Sequence, residues 1–249
     1  MNNKVLTLSA LERKLLLIIS MVYEQVDTTK LLSIAKRCDI KVKKALIDGK
    51  QLETILKKLK QEKLINYSKA AGVSCPAKSV EEITQAILAK NNRGLSSICR
   101  VIMELLPLAA NSFSYFYSKP VSFERCIRDI RINFYLNDSD DFLNVIQKTK
   151  NNFAKEWEKS NLFEVISSSG ASGSILSDSD EDIMSCVLSE LAFKTYDRLN
   201  PLPFSEDLIP AVARNQTDII GDFCMRIWVG YMTYRGELDK VISVTSDDA

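Results

Sequence analysis

The apolar positions of this chain recur mostly at helical spacing. Leu11, Leu15, Ile18, Ile19 and Val22 fall on one face of a helix, and Ser9 with Glu12 sets an S-x-x-E capping box ahead of them. Val26 and Asp27 end that element. A second helix is expected from Thr29 to Cys38, with Leu31, Leu32, Ile34 and Ala35 facing inward. The stretch DIKVKKALIDGK reads as a connection. A third helix follows in KQLETILKKLKQEKL, where Leu52, Ile55, Leu56 and Leu59 form the buried stripe and lysines fill the other face. LINYS and VSCP are short strand candidates on either side of a KAAG turn.

From residue 79 the pattern becomes helix, tight turn, helix. SVEEITQAILAK opens with Ser79 and Glu82 in a second capping-box arrangement, and the turn NNRG carries Gly94, suited to a left-handed helix end. LSSICRVIMELL is the partner helix, stopped by Pro107. VSFERCIRDIRINFYL, the turn NDSD and DFLNVIQKT form a second pair, with Asp138 or Ser139 as the later helix's cap. NFAKEWEKSNLFEVI and IMSCVLSELAFKTYDRL read as further helices. GDFCMRIWVGYMTY, the turn RGEL and DKVISV form a third pair. The turns at Asn91, Asn137 and Arg235 are 46 and 98 residues apart. The second interval is close to twice the first, which is the spacing of stacked helix pairs. Two segments interrupt the pattern. Residues 167–182, SSSGASGSILSDSDED, read as a flexible loop, and Phe113, Tyr115, Phe116 and Tyr117 read as a core plug between helix pairs. Trp157 and Trp228 are expected as core or interface anchors.

Composition narrows the chemistry. The chain has no histidine, which removes every Ser-His or Cys-His mechanism and every His-ligated metal site. Its six cysteines, Cys38, Cys75, Cys99, Cys126, Cys186 and Cys224, are widely spaced without a C-x-x-C pair. They read as buried free thiols of a reducing, cytoplasmic compartment. No run approaches the roughly 18 apolar residues of a membrane span, and LLLIISMVY reads as a core helix rather than a signal peptide. No metal or cofactor is expected, and no catalytic residue stands out.

Charge divides the chain in two. Residues 1–69 hold 15 Lys and Arg against 7 Asp and Glu, a balance of +8, and the remainder holds 18 against 25, a balance of −7. The basic half concentrates Lys43, Lys44, Lys50, Lys57, Lys58 and Lys60 before and along the third helix. Lysine ammonium groups neutralise phosphates and release counterions, so these residues suit DNA or RNA contact without sequence readout. Gln51 is the residue near the helix start best able to reach a base. The same lysines also suit a solvated face that only keeps the helix soluble.

Three helices followed by a small hairpin is the order of a winged-helix domain. LSALERKLLLII and LETILKKLKQEKLINYS resemble the first and third helices of that family, over about residues 6–76. The segment IKVKKALIDGK is longer than the tight turn the family has between its second and third helices. The expected fold is therefore mainly α: a basic winged-helix-like domain over 1–77, then a solenoid-like domain of helix pairs over 78–249. The whole arrangement resembles the accessory regions of bacterial Swi/Snf-type ATPases, through phrases such as CRVIMELLPL and IRDIRINFYLNDSDDFL, and those of STAND ATPases, where a winged helix leads into a superhelix. No Walker or helicase motif is present, so the resemblance implies a regulatory or recruiting part and no motor activity. The expected function is non-catalytic binding or scaffolding. The basic domain would contact DNA or RNA, the helical domain would dock a protein partner, and no membrane is involved. The alternative is an adaptor or effector that binds protein alone.

Overall fold

The computed structural model describes residues 2–89, 94–109, 120–167, 179–198 and 219–245. It divides into two compact units, Met1–Ser160 and Asn161–Ala249. Both are mainly helical. The aromatic cluster at 113–117 and most of the Ser-Gly-Asp segment lie outside the described residues.

The first unit begins with a short helix, α1 (Asn2–Thr7), which apolar spacing did not announce. Helix α2 (Ala10–Val22) starts at the expected capping box: the Ser9 hydroxyl accepts from Glu12 N–H, and the Glu12 carboxylate accepts from Ser9 N–H. Helix α3 (Thr28–Arg37) is capped by Asp27. The segment read as a plain connection forms a hairpin, β1 (Lys41–Val42) against β2 (Ala45–Leu46). Helix α4 (Gly49–Gln61) follows, held at its start by a capping box between Asp48 and Gln51. The expected hairpin is β3 (Asn66–Ser68) against β4 (Gly72–Ser74), and Val26 joins its edge by pairing with Val73.

Gly72 is required at that edge. Its φ is +90°, and an added Cβ would overlap the Val26 carbonyl. Val26 N–H donates to Val73 at 3.0 Å and Val73 N–H donates back at 2.8 Å, so the close approach is what the pairing needs.

Helices α5 (Val80–Leu88) and α6 (Leu95–Leu105) add to the same interior. One apolar cluster runs from Val5 through the α2, α3 and α4 stripes to Ile83, Ile102 and Ile132. The charge boundary at residue 69 and the expected domain end at 77 thus both lie inside the first unit. The second capping box does not form. The Ser79 hydroxyl donates to the Pro76 carbonyl at 3.3 Å, and Ser79 gives α5 no side-chain cap. Helix α7 (Phe123–Leu136) ends at left-handed Asn137, and Asp138, not Ser139, caps α8 (Ser139–Asn152). The helix expected over 152–166 is two: α9 (Ala154–Lys159) and α10 (Leu162–Ser167), broken where Ser160 turns to extended backbone.

A buried ionic network ties α2, α5 and α7 together. Arg131 is fully buried and bridges to Glu81. It also donates to the Ser20 carbonyl at 2.9 Å and to the Thr84 hydroxyl at 3.2 Å, and lies 4.7 Å from the Tyr23 ring centre. The Tyr135 hydroxyl donates to the other Glu81 oxygen at 2.5 Å, and burial next to Glu81 pushes its pKa well up. Nearly two turns before Arg131, Arg125 donates to Glu24 at 2.8 Å and to the Pro107 carbonyl at 3.0 Å. Arg128, also fully buried, lies between Asp129 and Glu24. Burial pushes the Asp129 carboxyl up, against the pull of Arg128. Breaking one partner of such a set strands the other charge and costs about 3–5 kcal/mol.

The second unit contains α10, α11 (Glu181–Arg198), α12 (Ile219–Tyr234) and α13 (Leu238–Thr245). Helices α12 and α13 flank a turn in which Gly236 has φ +75°. Ile183, Val187, Leu188, Leu191, Trp228 and Met232 are buried there. In the first unit Trp157 is buried as expected, with the Lys150 ammonium 5.6 Å from its ring centre. Cys38, Cys75, Cys99 and Cys126 are buried free thiols, and burial pushes those of Cys75 and Cys99 up to about 12. No helix among the described residues is long and apolar enough to cross a membrane.

Candidate nucleic-acid interface

Helix α4 forms because Leu52, Leu56 and Leu59 recur on one face and are buried against the core. The opposite face is fixed by that stripe. Lys50, Thr54, Lys57 and Gln61, at i, i+4, i+7 and i+11, share it and are exposed. Gln51 is partly buried, and its side-chain oxygen accepts from Asp48 N–H in the α4 capping box.

The lysines that lie together in sequence do not all face one way. Lys57 and Lys60, three residues apart, lie on neighbouring parts of the open side, and Lys58 is turned from them. Lys58 turns toward α2 and donates to Glu12 at 2.7 Å. Burial alone would raise the Glu12 carboxyl, but the bonds from Lys58 and Ser9 outweigh it and hold the group below the usual glutamate range. Lys57 stays on the open face and meets Glu53 at 3.1 Å. Glu53 also meets Lys69, near the β3–β4 tip, at 3.2 Å, and these two cations hold its carboxyl low. The hairpin tip therefore lies back along the helix. Lys60, one turn on, lines an open groove of about 620 Å³ with Lys63, Gln25, Asn66, Ser68 and Ser74.

The remaining cations sit at the far end of α4. Lys43 and Lys44 form the two-residue loop of β1–β2, exposed and at φ +50° and +72°. Lys41 is exposed and pairs with Asp39 at 2.7 Å. Lys43, Lys44, Lys50, Lys60 and Lys63 make no ion pair with any other described residue. The arrangement is a helix with unpaired ammonium groups at both ends and a screened Lys57–Glu53–Lys69 set between them. It can neutralise phosphates. No group of three or more histidines, carboxylates and thiols among the described residues could hold a metal.

Sequence reasoning missed Lys63 and the polar hairpin face. Lys63 follows the end of α4 at φ +60°, a position that apolar spacing does not reveal. Asn66 and Ser68 were legible as the outward residues of a strand, since period-2 alternation leaves Tyr67 buried between them. Comparison of the chain with protein-family models, curated proteins and solved structures finds no match.

Proposed function

We propose that residues 9–75 act as a winged-helix module that binds the phosphate backbone of nucleic acid through α4. Support for the winged-helix reading comes from element order: helix, extended Val26, helix, the inserted β1–β2 hairpin, helix and a second hairpin, with Val26 paired to β4, which lies between it and β3. One observation carries the binding reading. Both ends of α4 present cations without ion partners among the described residues, while Glu53 is already neutralised by Lys57 and Lys69. An incoming phosphate meets net positive charge at each end. Exposed ion pairs such as Lys57–Glu53 are weak and yield readily to a phosphate. Recognition is of backbone rather than sequence, because Gln51 is occupied as a cap.

The test is charge reversal away from the core. Lys50→Glu with Lys60→Glu keeps both residues exposed, so folding is retained and duplex affinity falls at least tenfold at low salt in a fluorescence-anisotropy titration. Equal affinity in the variant removes the reading.

The second unit supports a second role, docking a protein partner. Tyr234, Leu238 and Ile242 are 68%, 53% and 60% exposed, an unusual outlay of large apolar side chains. A stoichiometric protein recovered after nuclease treatment, and lost in Leu238→Glu/Ile242→Glu, is the expected result. Recovery of that protein with no nucleic-acid binding by the chain favours the adaptor reading instead.

A further inference from the structure

The tip of β1–β2 is built at odds with its own backbone. Ile40 and Ile47 are buried and close its base, with Ile47 N–H donating to the Ile40 carbonyl at 2.9 Å. The pairing Val42 to Ala45 leaves a loop of two residues, Lys43 and Lys44, both at positive φ. Two-residue loops of this kind favour Asn-Gly, because a Cβ is strained in the left-handed region. Lysine is a poor choice there on conformational grounds. Packing does not call for it, since both side chains are exposed and make no ion pair with any other described residue. What the pair adds is charge, held out on a short support anchored at both ends.

Spacing gives that charge a use. Helix α4 has 13 residues, about 20 Å of helix. The β1–β2 tip precedes its start, and Lys60 and Lys63 lie at its end. The major groove of a duplex is about 12 Å wide, so a helix with cations beyond each end meets a phosphate backbone at both. A lone flexible strand offers no such fixed pair of backbones. A membrane surface calls for apolar side chains among the cations, where the open face of α4 has Thr54 and Gln61.

We propose that the Lys43–Lys44 tip is one jaw of a duplex-selective phosphate clamp, with Lys60 and Lys63 as the other. This rests on the nucleic-acid reading above and names its substrate class, double-stranded nucleic acid. The test replaces the tip with the sequence its backbone prefers, Lys43→Asn with Lys44→Gly, in the full chain. The variant melts about 2–4 °C higher, because the strain is relieved. Its affinity for a 20-bp duplex falls about tenfold, its preference over the matching single strand narrows, and the log–log salt slope shrinks by about two. Lys155→Gln/Lys159→Gln, on α9, removes the same charge and leaves affinity, strand preference and salt slope unchanged.

A tip variant with wild-type duplex affinity, strand preference and slope overturns the clamp while leaving nucleic-acid binding in place. A wild-type chain that binds no duplex at low salt overturns both, as does one that binds phosphatidylglycerol vesicles and no duplex.

Discussion

Glu12 shows how one residue can join a cap to a long-range contact. One carboxylate oxygen closes the α2 capping box and the other takes Lys58 from α4. Its pKa is lowered, so its contribution is complete above the ordinary glutamate range and is lost as pH falls through the lowered folded value. Glu12→Gln therefore lowers the urea midpoint at pH 7 by an amount equivalent to about 1 kcal/mol, and the gap to wild type closes toward pH 3. A gap that stays constant with pH contradicts the assignment. Gly72 sets a different limit. Gly72→Ala brings a methyl group against the Val26 carbonyl at a φ that disfavours it, and costs more than about 2 kcal/mol in the same measurement.

At the scale of elements, what the sequence revealed followed the strength of local signals. Helix α2 was legible because Ser9, Glu12 and five apolar positions agree. The β3–β4 hairpin was legible from its alternation. The β1–β2 hairpin was hidden because its turn holds Lys-Lys where Asn-Gly would have announced it. The break between α9 and α10 has neither Pro nor Gly. Lys57, Lys58 and Lys60 looked like one patch because adjacency in sequence was read as adjacency in space, and the 3.6-residue period turns Lys58 toward Glu12 while Lys57 and Lys60 stay neighbours. The largest omission was the network on α7. Arg128 and Arg131 are charged residues in a mixed helix, and nothing local distinguishes a buried arginine from a solvated one. Arg131→Met strands Glu81 and lowers stability by about 3–5 kcal/mol in denaturant unfolding. Adding Glu81→Leu to that variant restores most of the loss, which a simple packing defect at 131 would not allow.

Over the whole molecule, the near-neutral net charge of +1 conceals a basic N-terminal segment that is folded together with less basic helices. The cationic ends of α4 are therefore presented by a unit of about 160 residues, not by a free-standing head. The central claim is that this unit binds nucleic acid by neutralising phosphates. Its most direct test is the salt dependence of binding to a random-sequence 20-bp duplex. Five lysines without ion partners among the described residues imply release of up to about five counterions, and a plot of log affinity against log salt with a slope near −4. No binding at low salt, or an affinity that does not change with salt, contradicts the account.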